Sequence, residues 1–221
     1  MPRTLYENEL RSIQDQVLLL GNMAEHAIER SVQALTHSDL ALARAVIEGD
    51  QEINRKRFSI EEGCIHVMAT QQPIATDLRI LVAVLNIITD LERMADHAEG
   101  IARITLLMVG EPCGEDFGHI PEMAVKAQTM LRDSLTAFIN RDVDAAHAIC
   151  NRDDEIDALY DMVYATAINR MVQNPSLIAP QTYLLWTAHN LERIADRATN
   201  IAERVIFLVT GRMDELNVSR Y

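Results

Sequence analysis

Phe, Trp and Tyr together make up only 5% of the 221 residues, and glycine and proline number 8 and 6. So small a supply of β-favouring aromatics and turn residues excludes a sheet-rich fold with its many tight turns. Cysteine is scarcer still. Cys64, Cys113 and Cys150 form no C-x-x-C and cannot all pair, which argues against a disulfide framework and fits a reducing compartment. Positive charge is also in deficit: 20 Lys and Arg against 33 Asp and Glu leave a net charge of -13 and a pI near 4.9. That balance excludes the counterion release on which nucleic-acid binding depends, and equally an anionic membrane surface, and it favours basic partners or metal ions. No long apolar run exists. The longest, "ILVAVLNII" at 80–88, is far below the ~20 residues that cross a bilayer. The start, "MPRTLYENELRSIQDQ", is polar and acidic where a signal peptide needs an apolar stretch, so a cytoplasmic protein is expected, touching a membrane only through partners.

What is present is the vocabulary of helices: Ala, Leu, Ile, Met, Glu and Arg. Punctuation falls at "THSD" (36–39), "QQP" (71–73), "GEPCGEDFGHIP" (110–121), "NRD" (140–142) and "NPSLIAP" (174–180), which divides the chain into six long segments. Each has apolar residues at helical spacing, as in Leu10, Ile13, Val17, Leu20 and Ala24. Methionines such as Met23, Met94, Met130 and Met171 read as core filler.

The halves match. Residues 31–54 align without a gap on 134–157 with eight of 24 positions identical, and "DLERMADHAEGIA" at 90–102 matches "NLERIADRATNIA" at 190–202 at eight of 13. The offset drifts only from 103 to 100, so the chain is one unit written twice. Short connections make successive helices antiparallel neighbours. The expected architecture is therefore all-α: two tandem antiparallel three-helix bundles, over 1–109 and 122–221, joined by a linker at 110–121 and packed on each other.

On a helical wheel centred on Leu85, Glu92 falls at about -20° and Asp96 at about +20°, so both continue the apolar stripe; Glu192, Asp196 and Glu203 do the same from Leu185. Folding back at Pro73 sets Asn54 level with Glu92 and Asp50 level with Asp96. A fold between 174 and 175 sets Asp157 level with Glu192 and Asp153 level with Asp196. Charged groups in a bundle seam must be paired or hold a cation. An all-oxygen cluster suits hard ions such as magnesium, manganese or ferric iron, with zinc less expected. Ordinary salt bridges to Arg93, Arg103, Arg193 or Arg204 are the alternative. Asn54 replaces the acid of Asp157, and Arg103 stands where the second copy has Glu203, so the second site is the richer in charge. His26 falls level with Asp50 and is a possible extra ligand, whereas His97 lies about 100° round the helix and faces away.

Catalytic motifs are missing. No glutamate is followed three residues later by histidine, as a di-iron bundle requires, and H-E-x-x-H, G-x-x-x-x-G-K-[ST] and G-x-S-x-G do not occur. Only an unusual metal-dependent hydrolase survives as an enzymatic alternative.

"QQPIATDLRILVAVLNIITDLERMADHAEGIAR" at 71–103 and "NLERIADRATNIAERV" at 190–205 closely resemble the PhoU family of phosphate-signalling proteins, as do the segments ending at Asn54 and Asp157 with the preceding Asp50 and Asp153. The resemblance spans essentially the whole chain. It implies a non-catalytic cytoplasmic regulator that restrains phosphate uptake and represses the phosphate-starvation response, acting between the ATPase subunit of a phosphate ABC transporter and a two-component sensor histidine kinase. It also implies iron or zinc clusters, with Asp50, Glu92 and Asp96 as ligands in the first copy and Asp153, Asp157, Glu192 and Asp196 in the second. A homodimer is the default expectation for such a regulator.

Overall fold

A computed structural model describes residues 3–111 and 117–212, with side chains from residue 6 onward; Cys113 and most of the central glycine-rich break lie outside the described residues. Seven α-helices account for nearly all of the described chain, and no strand occurs among those residues. Helix α1 spans Arg3–Thr36, α2 Leu40–Gln71, α3 Thr76–Leu107, α4 Ile120–Asn140, α5 Val143–Cys150, α6 Asp153–Gln173 and α7 Ile178–Thr210, with one 3-10 turn at Pro175–Leu177 before α7.

Six helices were expected, and the fifth is two. The helix beginning at Val143 stops at Cys150, where the Asn151 amide bonds His147 O at 3.2 Å and the Arg152 amide turns tighter onto Ile149 O at 3.0 Å. A fresh helix then opens on Asp153, Asp154 and Glu155. Three carboxylates are stabilised by the positive end of a helix dipole and gain nothing in a helix interior, so this run favours a start over a continuation. Arg152 fastens the break to α4 through Asp133 Oδ2 at 2.7 Å. In the first copy the aligned pair Glu48–Gly49 stays within α2.

Elsewhere the copies agree down to their turns. Ser38 and Arg141 both take positive φ, 52° and 54°, and the following Asp39 and Asp142 cap α2 and α5 with side-chain bonds to backbone amides at 2.9–3.0 Å. Each cap satisfies helix-start donors that have no intrahelical partner.

The two halves share one continuous core, to which Leu20, Ile28, Leu91, Met123, Phe138 and Ile201 all contribute. At its centre α3 and α7 run antiparallel. Alanines 83, 95 and 98 on one and 188, 195 and 198 on the other are all buried in that core, and such small side chains let the helices lie close. Met94 and Met130 are buried as expected of filler and Met23 packs against the core's edge, whereas Met171 is only half-buried near the end of α6. The remaining helices flank this pair, α1 and α2 against α3, and α4, α5 and α6 against α7.

Candidate functional site

The hairpin registers place the acids. In the second copy α6 folds back on α7 so that the rings of Tyr160 and His189 lie 6.3 Å apart, which is the pairing that also sets Asp157 against Glu192 and Asp153 against Asp196. Glu192 is 7% exposed and Asp153 5%, and Glu203 is equally buried at 7%. Burial, then the charge of Asp196, lifts the Glu192 carboxyl from 4.5 to about 7; Arg193 opposes the shift and Asp157 and Asp153 add to it. Its Oε2 is buried without a hydrogen-bond partner. The His189 imidazole stands 3.5 Å away, close enough to count as an ion pair when protonated but not placed to donate. The imidazole is mostly exposed, and at that distance it leaves the oxygen's acceptor capacity unused.

Around Glu192 the other acids have company. Asp196 accepts from Arg193 Nη1 at 2.8 Å, yet burial still raises its pKa against the pull of Arg193, Arg197 and His189. Glu203 Oε2 lies 3.7 Å from Arg204. Cys150, free and half-buried, has its thiol pushed up to about 11 by burial and by the nearby charges of Glu203 and Asp153, so it is an inert thiol.

The first copy is arranged differently. Asp50 Oδ2 accepts from Asn54 at 2.7 Å while Oδ1 is buried without a partner. Burial and the charges of Asp96 and Glu99 raise the Asp50 pKa, against Asn54 and Arg103. Glu92 has the Arg57 Nε 3.9 Å from its Oε1, and Arg57 also bonds Glu61 at 2.7 Å while stacking over the Phe58 ring at 3.9 Å. Asp96, at the same wheel position as Asp196, is exposed to solvent, yet the protein packed around its carboxyl desolvates it enough, with the charges of Glu92 and Glu99, to raise its pKa against the pull of Arg93. Arg103 bonds Glu99 at 2.6 Å. His26 is exposed beside Glu29, away from the groups that Asp50 feels.

Glu99, Arg57 and Tyr160 were not picked out from sequence as part of these sites. The aligned pair Arg57 and Tyr160, one facing Glu92 and the other felt by Glu192, carried the only available signal: a charge difference between copies beside a shared acid. A further polar set escaped entirely. Across α3 and α7, Asp90 Oδ1 meets Asn200 Nδ2 at 3.3 Å and Arg197 Nη1 at 3.6 Å, while His97 Nδ1 meets Asn190 Oδ1 at 3.0 Å. Asp90 aligns with Asn190 and Arg197 with His97, so the two contacts are related by a pseudo-twofold axis between the copies. His97 does face away from Asp96, as expected, and burial lowers its pKa.

The donor set is chemically suited to a hard cation: oxygens alone, with one deeply buried acceptor, Glu192 Oε2, lacking any donor. As the side chains are placed, no three His, Cys, Asp or Glu among the described residues are grouped so as to hold a metal ion. Holding one requires the carboxylates to turn toward a common point. A cavity of about 370 Å³ lies elsewhere, lined by Leu35, Ser38, Thr105, Met108 and Phe117, and contains none of these acids.

Fold and site together define a class: an all-helical, internally duplicated bundle carrying carboxylates at equivalent helix seams, buried or half-buried in the second copy and half-buried or exposed in the first. The chain belongs to the PhoU family, since the PhoU domain model matches it at residues 17–105 and 120–205. It is 37% identical to a phosphate-specific transport system accessory protein PhoU homolog of Clostridium acetobutylicum, over 98% of this chain and all of that one. Identity to the accessory protein PhoU of Escherichia coli is 31%, over 94% of this chain and 86% of that one. Two crystal structures superpose along nearly the whole chain: PhoU from Pseudomonas aeruginosa (TM-score 0.88, 32% identity, 94% of this chain and 100% of the other) and the phosphate transport system regulatory protein PhoU from Streptococcus pneumoniae (TM-score 0.89, 31% identity, 96% and 100%).

Proposed function

We propose that this chain is a non-catalytic accessory regulator of a phosphate-specific transport system, restraining phosphate uptake and the starvation response by bridging the transporter's ATPase and a sensor histidine kinase. The observation that carries the reading is the near full-length likeness to proteins named for that accessory and regulatory role, in both copies and in the same order. The chemistry is in keeping with a relay. An acidic surface attracts the basic face of a partner, and partners rather than the chain itself would supply any contact with a membrane. No helix among the described residues is long and apolar enough to cross one.

Within this reading Asp153, Asp157, Glu192 and Asp196, and less completely Asp50, Glu92 and Asp96, are the residues that would hold iron, zinc, manganese or magnesium. A bound cation would supply a fixed positive charge at an otherwise acidic seam. The chain's own contribution is to keep Glu192 dry, poise its oxygen without a donor, and hold Asp196 with Arg193.

Co-purification from phosphate-rich cells tests the proposal. Transporter and kinase components should come with the tagged chain, and recovery of neither in metal-replete buffer overturns it. Light scattering on the same preparation reads the oligomeric state, where a homodimer is expected.

A further inference from the structure

The α6–α7 hairpin carries the longest stretch of the chain without an acid. Residues 162–191 contain no Asp, Glu or Lys, although 33 of the 221 residues are acidic. The aligned stretch of the first copy, 59–88, holds Glu61, Glu62, Asp77 and Arg79. Arg170, the one arginine within 162–191, is half-buried and turns to a small cleft beside Phe117, Val163 and Leu184.

What the hairpin presents outward is apolar. On α6, Tyr164, Ile168 and Val172 follow one another a turn apart and are 40–77% exposed. On α7, Ile178 and Trp186 stand two turns apart and are each about half exposed, with Thr182 between them. The register fixed by the Tyr160–His189 contact sets Tyr164 level with Trp186, Ile168 with Thr182 and Val172 with Ile178, so the rows form one double stripe running to the hairpin's tip. Tyr183 braces the Trp186 ring edge-on, with centroids 5.8 Å apart. With about half of each large side chain open, the stripe offers about 600 Å². An apolar patch of that size, carrying Tyr and Trp and stripped of charge, has the composition of an interface core.

We infer that this stripe is the face on which two copies of the chain pair. It gives an interface to the homodimer expected of the accessory regulator and rests on that part of the reading. Each copy has a net charge of -13, so two copies repel wherever their acidic surfaces meet, and the stripe is where they can approach without that repulsion. Pairing covers about 1,200 Å² in total, the lower end of specific interfaces. A twofold axis near Ile168 lays the stripes antiparallel, with the Tyr164–Trp186 end of each over the Val172–Ile178 end of the other. Asp161, the last acid before the stripe, then lies about 10 Å along α6 from the axis and about 20 Å from its twin, more than twice the screening length of about 8 Å at physiological salt.

The test is sedimentation velocity of the full chain over roughly 1–100 µM, read together with the emission of Trp186, the only tryptophan. The wild type should be dimeric at the upper end, its emission should shift to the blue as the dimer forms, and about 0.5 M salt should strengthen association by screening the like charges. Ile168→Glu and Val172→Glu should each weaken association by about 10-fold or more, because the twofold places each new charge in the interface twice. Ile65→Glu, at the exposed position of the first copy aligned with Ile168, should leave it unchanged. Circular dichroism and thermal melting confirm the fold of each variant, all of them at exposed positions. A chain monomeric throughout, a dimer untouched by both stripe variants, or one dissociated by salt or by Ile65→Glu would overturn the inference. A monomer whose Trp186 emission shifts only on adding phosphatidylcholine vesicles would assign the stripe to lipid and overturn it equally. Co-purification separates this from the regulator reading: a monomeric chain that still recovers transporter or kinase components would refute the paired face and leave that reading standing.

Discussion

Removing the charge of Glu192 should stabilise the metal-free protein, increasingly as pH rises from 4.5 and in full above neutrality. The carboxyl titrates near 7 in the folded chain against an ordinary value of 4.5. Its folded pKa is raised, so the unfolded chain gives up this proton first, and between pH 4.5 and 7 the folded state binds more protons than the unfolded one. Stability therefore falls as pH rises through that window and is restored as pH drops. The rise corresponds to about 3 kcal/mol once both states are ionised. At 7% exposure the group has little solvent to screen it. Glu192→Gln keeps the shape and removes the charge. Urea unfolding of chelator-treated protein should show wild type and variant alike at pH 4 and the variant more stable by about 2–3 kcal/mol at pH 8. Adding a hard divalent ion at pH 8 should close the gap by stabilising the wild type alone, because a ligand that binds only the folded state adds to its stability. Equal stability of the two proteins at pH 8 without metal would refute the picture of an ionised, uncompensated Glu192.

Other consequences are simpler. Asp90→Ala strips Arg197 and Asn200 of their cross-copy partner and should cost about 3 kcal/mol by urea denaturation, as expected when one member of a mostly buried pair is deleted. Asp39→Ala and Asp142→Ala each remove an equivalent helix cap, so each should lower stability by about 1 kcal/mol, and the two losses should add in the double variant because the caps lie in separate turns. Leu91→Ala, at a fully buried site in the shared core, should cost about 2–5 kcal/mol in a single cooperative transition; two separated transitions would contradict the one-core description.

Sequence alone reached far here because duplication supplies an internal control. The hairpin counts about Pro73 and Asn174 predict which residues lie level across each helix pair, and the Tyr160–His189 ring contact falls on the second of those registers. The angular count also predicts the burial of Glu192 and Glu203. It misses the exposure of Asp96, because a wheel position locates a residue around its helix and says nothing of how far the neighbouring helix covers it. Helical spacing does not single out Arg57 either: its guanidinium stacks on Phe58 while approaching Glu92, a pair of contacts that spacing does not announce. The split between α5 and α6 was hidden by the apolar periodicity that continues through both. The Asp90–Arg197 contact depended on the docking of one half upon the other, which no pattern within a half can contain.

The antiparallel seating of α3 on α7 makes this chain, in effect, a dimer written into one polypeptide. In an association of identical subunits every substitution appears twice, and an arginine set against one acidic seam is set against both. Fusing the copies frees each from that symmetry. One half can keep its scaffold and its share of the core while carrying Arg57 beside Glu92, where the other half carries Tyr160 beside Glu192.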